Sequence, residues 1–327
     1  MKNVVLILIM FCSLLLLTPF LWNRAFPHGA ISAATEYSVP ENFRLALTEN
    51  GEIIEIVEIS RVDYLIGCLY AQIPPGYSLE TLNAQAVAAH TYALRIALNN
   101  KNSPQYTLNG KSADISDNSV TCQPFFTQEK AREYYGEEYN LYYDKIRQAA
   151  EYGAARVILY GAEPIYSVYH SVSAGATNTA RYIWDVDFPY LKSVPSDWDR
   201  EFIHFISTNE FTTNEVRKLL LSYDPNIIMP LDYALWFSEY AADPSGYVMA
   251  VSARNQTLSG GDLWRLLNLR SAAFVIEYTG SVFTATTKGH GHGVGLSQFG
   301  ADYMAQRGYT AEEILNYYYT DVVIVPC

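Results

Sequence analysis

Between Val4 and Trp22 the chain runs for nineteen residues without a charge, with Lys2 before the run and Arg24 after it. As a helix rising about 1.5 Å per residue, the run is about 28 Å long, close to the hydrocarbon thickness of a bilayer. Pro19 and Trp22 fall near its far end, where a kink and an interfacial aromatic are both tolerated. Small residues at Ile31–Ala34 would also suit a signal peptidase, but the apolar core of a signal peptide is usually shorter than this run. The expectation is therefore a single-pass cell-membrane protein. Residues 1–22 would be an uncleaved anchor, residues 23–42 a polar, proline-containing stalk, and residues 43–327 a domain outside the cytoplasm.

The charge of that domain narrows its partners. A net charge of −12 and an isoelectric point near 4.9 argue against nucleic acid, anionic lipid and teichoic acid. The chain carries 27 tyrosines. Aromatic faces stack on sugar rings and phenols bond to sugar hydroxyls, so this richness suits an uncharged polysaccharide. It equally suits a strand-rich exported protein that half-buries tyrosine. Of the four cysteines, Cys12 lies in the apolar run and Cys327 ends the chain, which leaves Cys68 and Cys122 as the only plausible pair. Whether they pair is open.

Patterning along the chain mixes both periods. Arg44–Ile59 alternates around a turn at Glu49-Asn50-Gly51, and Tyr64–Gln72 reads as a helix stopped by Pro74 and Pro75. Ser78 is placed to cap a long helix to about Asn99, with Leu82, Ala86, Ala89, Ala93 and Ala97 forming a small-residue face. Residues 100–127 read as loop and residues 129–152 as one helix. Hairpins are expected at Arg156–Tyr160 with Ile165–His170, and across Ala273–Thr287. Thr213–Leu221 reads as a helix, Tyr247–Ala253 as a strand, and Thr310 with Glu313 as the capping box of the last helix. With no repeat and no βαβ alternation, the expected class is α+β: mixed helices and antiparallel hairpins around one cleft.

Four segments carry more than patterning: Tyr64–Pro74 (YLIGCLYAQIP), Leu82–Leu94 (LNAQAVAAHTYAL), Ser173–Asn178 (SAGATN) through Pro189–Val194 (PYLKSV), and Gly291–Ala301 (GHGVGLSQFGA) with Glu313–Tyr319 (EILNYYY). In colinear order from about residue 44 to 325, they resemble the stage II sporulation protein D family, which is related to amidase enhancers. The resemblance implies work at the septal membrane during engulfment, lytic transglycosylase action on glycan strands stripped of stem peptides, and stimulation of a partner amidase. Its implied partners are peptidoglycan glycan strands, a cell-wall amidase and engulfment membrane proteins. One carboxylic acid suffices for that chemistry. It protonates the glycosidic oxygen, and the sugar's own 6-hydroxyl then traps the oxocarbenium ion.

At that point the sequence departs from the family. Where the family reads YLxGVxxxEMP, the acid's position is occupied by Gln72, whose carboxamide has no proton to give at neutral pH. Loss of general-acid catalysis is worth about 10²- to 10⁴-fold. The family's LKAQAVAARTYAL becomes a segment with Asn83 for Lys and His90 for Arg, two positions that the resemblance puts beside the acid, although His90 also fits a packed helix position. Ser173, Thr177, Tyr190 and Lys192 match the family and are expected to face the sugar. His292 is expected to orient a glycine-rich loop leading to Ser297 and Gln298 at a helix start, whose free N–H groups suit a sugar oxygen. His170, His290 and His292 lack the spacing of shared ligands, and Cys122 before Gln123 is a single thiol, so neither a metal nor another cofactor is expected. Glu80, Asp185 and Asp187 are the remaining motif acids. Glu80, in a first helical turn, is held as an anion by the helix dipole. The expected function is glycan binding with weakened or lost cutting. The alternative is an active transglycosylase using Asp185 or Asp187.

Overall fold

The computed structural model describes residues 36–253 and 256–327. Residues 1–35 fall outside it, and with them the expected anchor and most of the stalk. Among the described residues, no helix is long and apolar enough to cross a membrane.

The chain opens with the expected hairpin, Asn42–Glu49 antiparallel to Glu52–Ser60, closed through positive-φ Asn50 and Gly51. Ser60 then caps the helix Arg61–Gln72 by accepting from the Asp63 N–H. One face of that helix is buried through Tyr64, Leu65, Cys68 and Leu69. Pro74 ends it, which leaves Gln72 as the last helical residue. Its neighbour is the long helix Leu79–Asn102. The Ser78 side chain does not cap that helix. Instead its backbone N–H donates to Asp302 Oδ1 at 2.7 Å, fastening the helix start to the C-terminal region.

The long helix is enclosed by two cores. Leu82, Ala86, Ala89 and Ala93 pack with Phe43, Leu65 and Ile146, while Ala84, Val87 and Ala88 pack with Ile158, Leu296 and Ile314. The small-residue face does admit a close neighbour: a Cβ added at Gly153 would lie 2.5 Å from the Ala86 Cβ.

Three expectations are corrected. Residues 129–152 form two helices, Gln128–Tyr135 and Glu138–Ala154, because Gly136 turns the chain at a φ of 55°. Residues 100–127 are not wholly loop, since Ile115–Ser116 adds a parallel strand to the first hairpin. Arg156–Tyr160 pairs only with Glu163–Pro164 before the chain leaves the ladder, and its other edge is taken by Val323–Pro326. The released segment runs on to Tyr169–His170, which pairs in parallel with Leu296–Ser297. A third core, built on Trp236, Phe237, Val251 and Phe283, fills the region from Ile206 to Lys288. There the expected hairpin (Phe274–Tyr278 with Val282–Lys288) and the helix Thr213–Tyr223 are joined by the strand Ile206–Thr212. The class is mixed α+β as expected.

Candidate functional site

A cleft of about 660 Å³ opens where the end of the helix Arg61–Gln72, the segment Ser119–Pro124, the strand Tyr169–His170 and the glycine-rich loop converge. That is room for a small ligand or one stretch of a polymer. The strand wall depends on the loop. Gly289, Gly291, Gly293 and Gly295 all have positive φ. A Cβ at Gly295 would lie 2.0 Å from the Val168 carbonyl, just before the two strand residues that face the cleft.

Gln72 sits in the cleft with a partner at each polar atom of its amide. Nε2 donates to the Pro124 carbonyl at 2.8 Å, Oε1 accepts from the Tyr169 hydroxyl, and the Gln72 carbonyl accepts from Gln298 Nε2 at 2.9 Å. Gln123 is anchored in a similar way, its Nε2 donating to the Ala89 carbonyl at 3.0 Å and its Oε1 facing the same Tyr169 hydroxyl. One phenolic proton therefore faces two amide oxygens and satisfies one of them fully at a time. Burial raises the Tyr169 phenol well above its ordinary pKa, so it remains a donor.

Two histidines complete the wall. His292 Nδ1 accepts from the Val294 N–H at 3.0 Å. His170 Nδ1 donates to the Val294 carbonyl at 3.1 Å. Burial lowers both, His292 to about 4 and His170 to about 3, so both rings are neutral at physiological pH. Trp184, 40% exposed, leans over His292 with ring centroids 5.1 Å apart and offers the cleft an open aromatic face.

Of the residues singled out from sequence, Gln72, His292 and Gln298 line this cleft, as do His170 and Cys122, which were weighed only as metal ligands. The others do not. Asn83 turns to Glu80 Oε1 at 3.3 Å, and His90 is buried against Phe43 with Nδ1 on the Arg156 carbonyl at 2.8 Å. Asn83 was expected beside the acid's position and faces the packing of the long helix instead; His90 takes the packed-helix alternative. Ser173 and Thr177 are buried and hold backbone N–H groups of Gly175 and Val194. Tyr190 lies behind the wall, its ring stacked on Phe188 and its hydroxyl accepting from the Tyr166 N–H. Lys192 is exposed and paired with Asp321 at 3.0 Å. Ser297 caps the helix Gln298–Ala305 by accepting from the Gly300 N–H, and its hydroxyl donates to Asp199, so it is not free for a sugar.

No carboxyl group is among the described residues lining the cleft. Asp185 and Asp187 are exposed beside the lining residues Trp184 and Phe188, and Glu80 accepts from the Ala311 N–H at 2.7 Å. Among the described residues, no group of three or more His, Cys, Asp or Glu is arranged to hold a metal. Cys68 and Cys122 are buried and unbridged, and burial raises both thiols, Cys122 to about 11.

Sequence reasoning passed over Asp199, the buried hub behind the wall. It accepts from the Ser173 N–H at 2.8 Å and the Ser297 hydroxyl at 3.0 Å. Burial pushes its carboxyl from 3.8 to about 6, against those hydrogen bonds. Because the folded pKa lies above the unfolded one, the folded state holds an extra proton between about pH 4 and pH 6. The group's contribution to stability therefore falls as pH rises through that window, by about 3 kcal/mol at most. Urea-unfolding midpoints across the window are expected to decline less steeply in Asp199→Asn than in wild type. Identical slopes would show that Asp199 does not titrate there.

Comparison with known proteins agrees with the arrangement of motifs. A family model described as stage II sporulation protein matches residues 49–160. The chain is 29% identical to stage II sporulation protein D of Bacillus subtilis (strain 168), over 98% of this chain and 94% of the relative. It is 31% identical to stage II sporulation protein D of Bacillus amyloliquefaciens, over 80% of this chain and 73% of the relative. It is 24% identical to the amidase enhancer of B. subtilis, over 78% of this chain but 39% of that longer protein.

Proposed function

The chain belongs to the stage II sporulation protein D family, and from that premise we propose that it binds peptidoglycan glycan strands at the sporulating cell wall while its own cutting step is weakened or absent. The names of its relatives, stage II sporulation protein D and amidase enhancer, support a cell-wall role in sporulation. In this reading the protein holds glycan outside the membrane, presents it to a cell-wall amidase, and works among the membrane proteins of engulfment.

The observation that carries the reading is the chemistry of the cleft wall. Where the family's acid belongs stands an amide fixed on both of its polar atoms, and no carboxyl group among the described lining residues replaces it. General-acid catalysis needs a proton at that place, and the amide supplies none. Binding needs something different, and the wall has it. Two amide oxygens compete for one phenolic proton, which leaves an acceptor for a ligand hydroxyl. Trp184 adds an apolar face for a sugar ring. A polyhydroxylated sugar chain matches both, since its hydroxyls supply the donor and its ring faces the aromatic contact.

Trp184→Ala is expected to weaken retention of peptide-stripped glycan strands about three- to tenfold, the value of one aromatic contact. Affinity electrophoresis of the full-length chain measures it. Unchanged retention would remove the cleft from the binding surface.

A further inference from the structure

His292 and His170 stand side by side on the cleft wall, 5.8 Å between ring centroids, yet they differ in one respect. His292 accepts from the Val294 N–H at Nδ1 and has no buried ring nitrogen left without a partner. His170 uses Nδ1–H on the Val294 carbonyl, and its Nε2 is buried with no hydrogen-bond partner. The donor on Nδ1 fixes the tautomer, so Nε2 carries a bare lone pair. A ring that is 4% exposed therefore keeps an unsatisfied acceptor at the wall of the cleft. Such an atom carries a desolvation penalty until a donor arrives.

Resting on the glycan reading above, we propose that His170 Nε2 is a substrate-positioning acceptor that takes a hydroxyl or acetamido proton from an N-acetylhexosamine unit seated against Trp184. The low basicity of the buried ring makes it an acceptor rather than a proton carrier. The donor must then be neutral, which sugar hydroxyls and acetamido N–H groups are. Val294 connects this acceptor to the glycine-rich loop, since its carbonyl holds His170 and its N–H holds His292. The loop's backbone thus sets the direction of both rings.

Two substitutions separate binding from scaffolding. His170→Asn places an amide N–H near the Nδ1 position, which keeps the bond to Val294 and removes the cleft acceptor. His170→Gln places an amide oxygen near the Nε2 position, which restores the acceptor and gives up the inner bond. Each full-length variant is titrated in detergent with peptide-stripped glycan strands and with the N-acetylglucosamine tetramer. His170→Asn is expected to weaken binding about 5- to 100-fold, and His170→Gln about threefold or less. On the ¹⁵N-histidine-labelled wild type, the Nε2 resonance of His170 should move upfield as the tetramer saturates the cleft, a change that a purely structural histidine would not give. Full binding by His170→Asn, equal losses in the two variants, or a stationary Nε2 resonance on a wild type that binds would each overturn the inference and leave the glycan reading standing. A wild type that binds neither probe would overturn both.

Discussion

Gln72→Glu is expected to turn the protein into a lytic transglycosylase, raising the yield of anhydro-muramyl products from peptide-stripped glycan at least about 10²-fold over wild type. The surroundings of the amide explain why one atom has so large an effect. Gln72 Nε2 lies 2.8 Å from the Pro124 carbonyl, and its Oε1 receives the Tyr169 hydroxyl. A glutamic acid in the same rotamer satisfies both neighbours only when protonated, with its O–H toward Pro124 and its carbonyl toward Tyr169. The anion would set two oxygens against each other. Partial burial and the Pro124 carbonyl therefore raise the new carboxyl's pKa, while the Tyr169 donor works in the opposite direction. The balance keeps a proton available, which is what a general acid requires. Product formation by the variant should accordingly fall as pH rises through that raised pKa. Mass spectrometry of the digest reads the result, and a variant as silent as wild type would show that more than the acid is missing.

Gly295→Ala is expected to cost about 2–5 kcal/mol and to abolish glycan retention with it. Two penalties combine at this residue. Its φ of 73° is a left-handed conformation that costs an L-residue about 1–2 kcal/mol. The added Cβ would also meet the Val168 carbonyl at 2.0 Å, an overlap of the kind that costs about 1–3 kcal/mol once neighbours shift. The neighbour that must shift is the strand bearing Tyr169 and His170. Gly280 is the control: its φ is 90° but an added Cβ would meet nothing within 4 Å. Gly280→Ala should therefore lower the urea midpoint only by the conformational share, with retention unchanged. Equal losses in the two variants would mean that close packing of the loop on the strand is not what shapes the cleft.

These predictions rest on residues of unequal legibility. Gln72 was placed by the resemblance of the Tyr64–Pro74 segment to the family's motif, and Gln298 by the glycine-rich loop that leads to Ser297 at a helix start. Asn83 was misplaced, and His90 was left open between cleft and packing, for one physical reason. The long helix is enclosed on nearly every side, so Thr81, Asn83, Gln85, His90 and Thr91 are all buried. On such a helix a polar residue no longer signals the open face. The wall residues Tyr169 and Trp184 were passed over, and His170 was weighed only as a metal ligand, because their contacts are distant in the chain. His170 meets Val294 across 124 residues, through a two-residue parallel pairing too short to leave a pattern. Asp199 had no motif at all, and its importance comes only from the serines that converge on it. The mixed class, the first hairpin and the last helix followed from local signals, which tertiary contacts did not override.

The central claim is that the cleft holds glycan without cutting it, and wild type alone tests that. The full-length chain is incubated with peptide-stripped glycan strands, bound strands are recovered with the protein, and the soluble fraction is searched by mass spectrometry for anhydro-muramyl ends. The account predicts strands retained and no anhydro ends above the protein-free control. Abundant anhydro ends from wild type would contradict it, placing a working acid in a cleft whose described lining carries no carboxyl group.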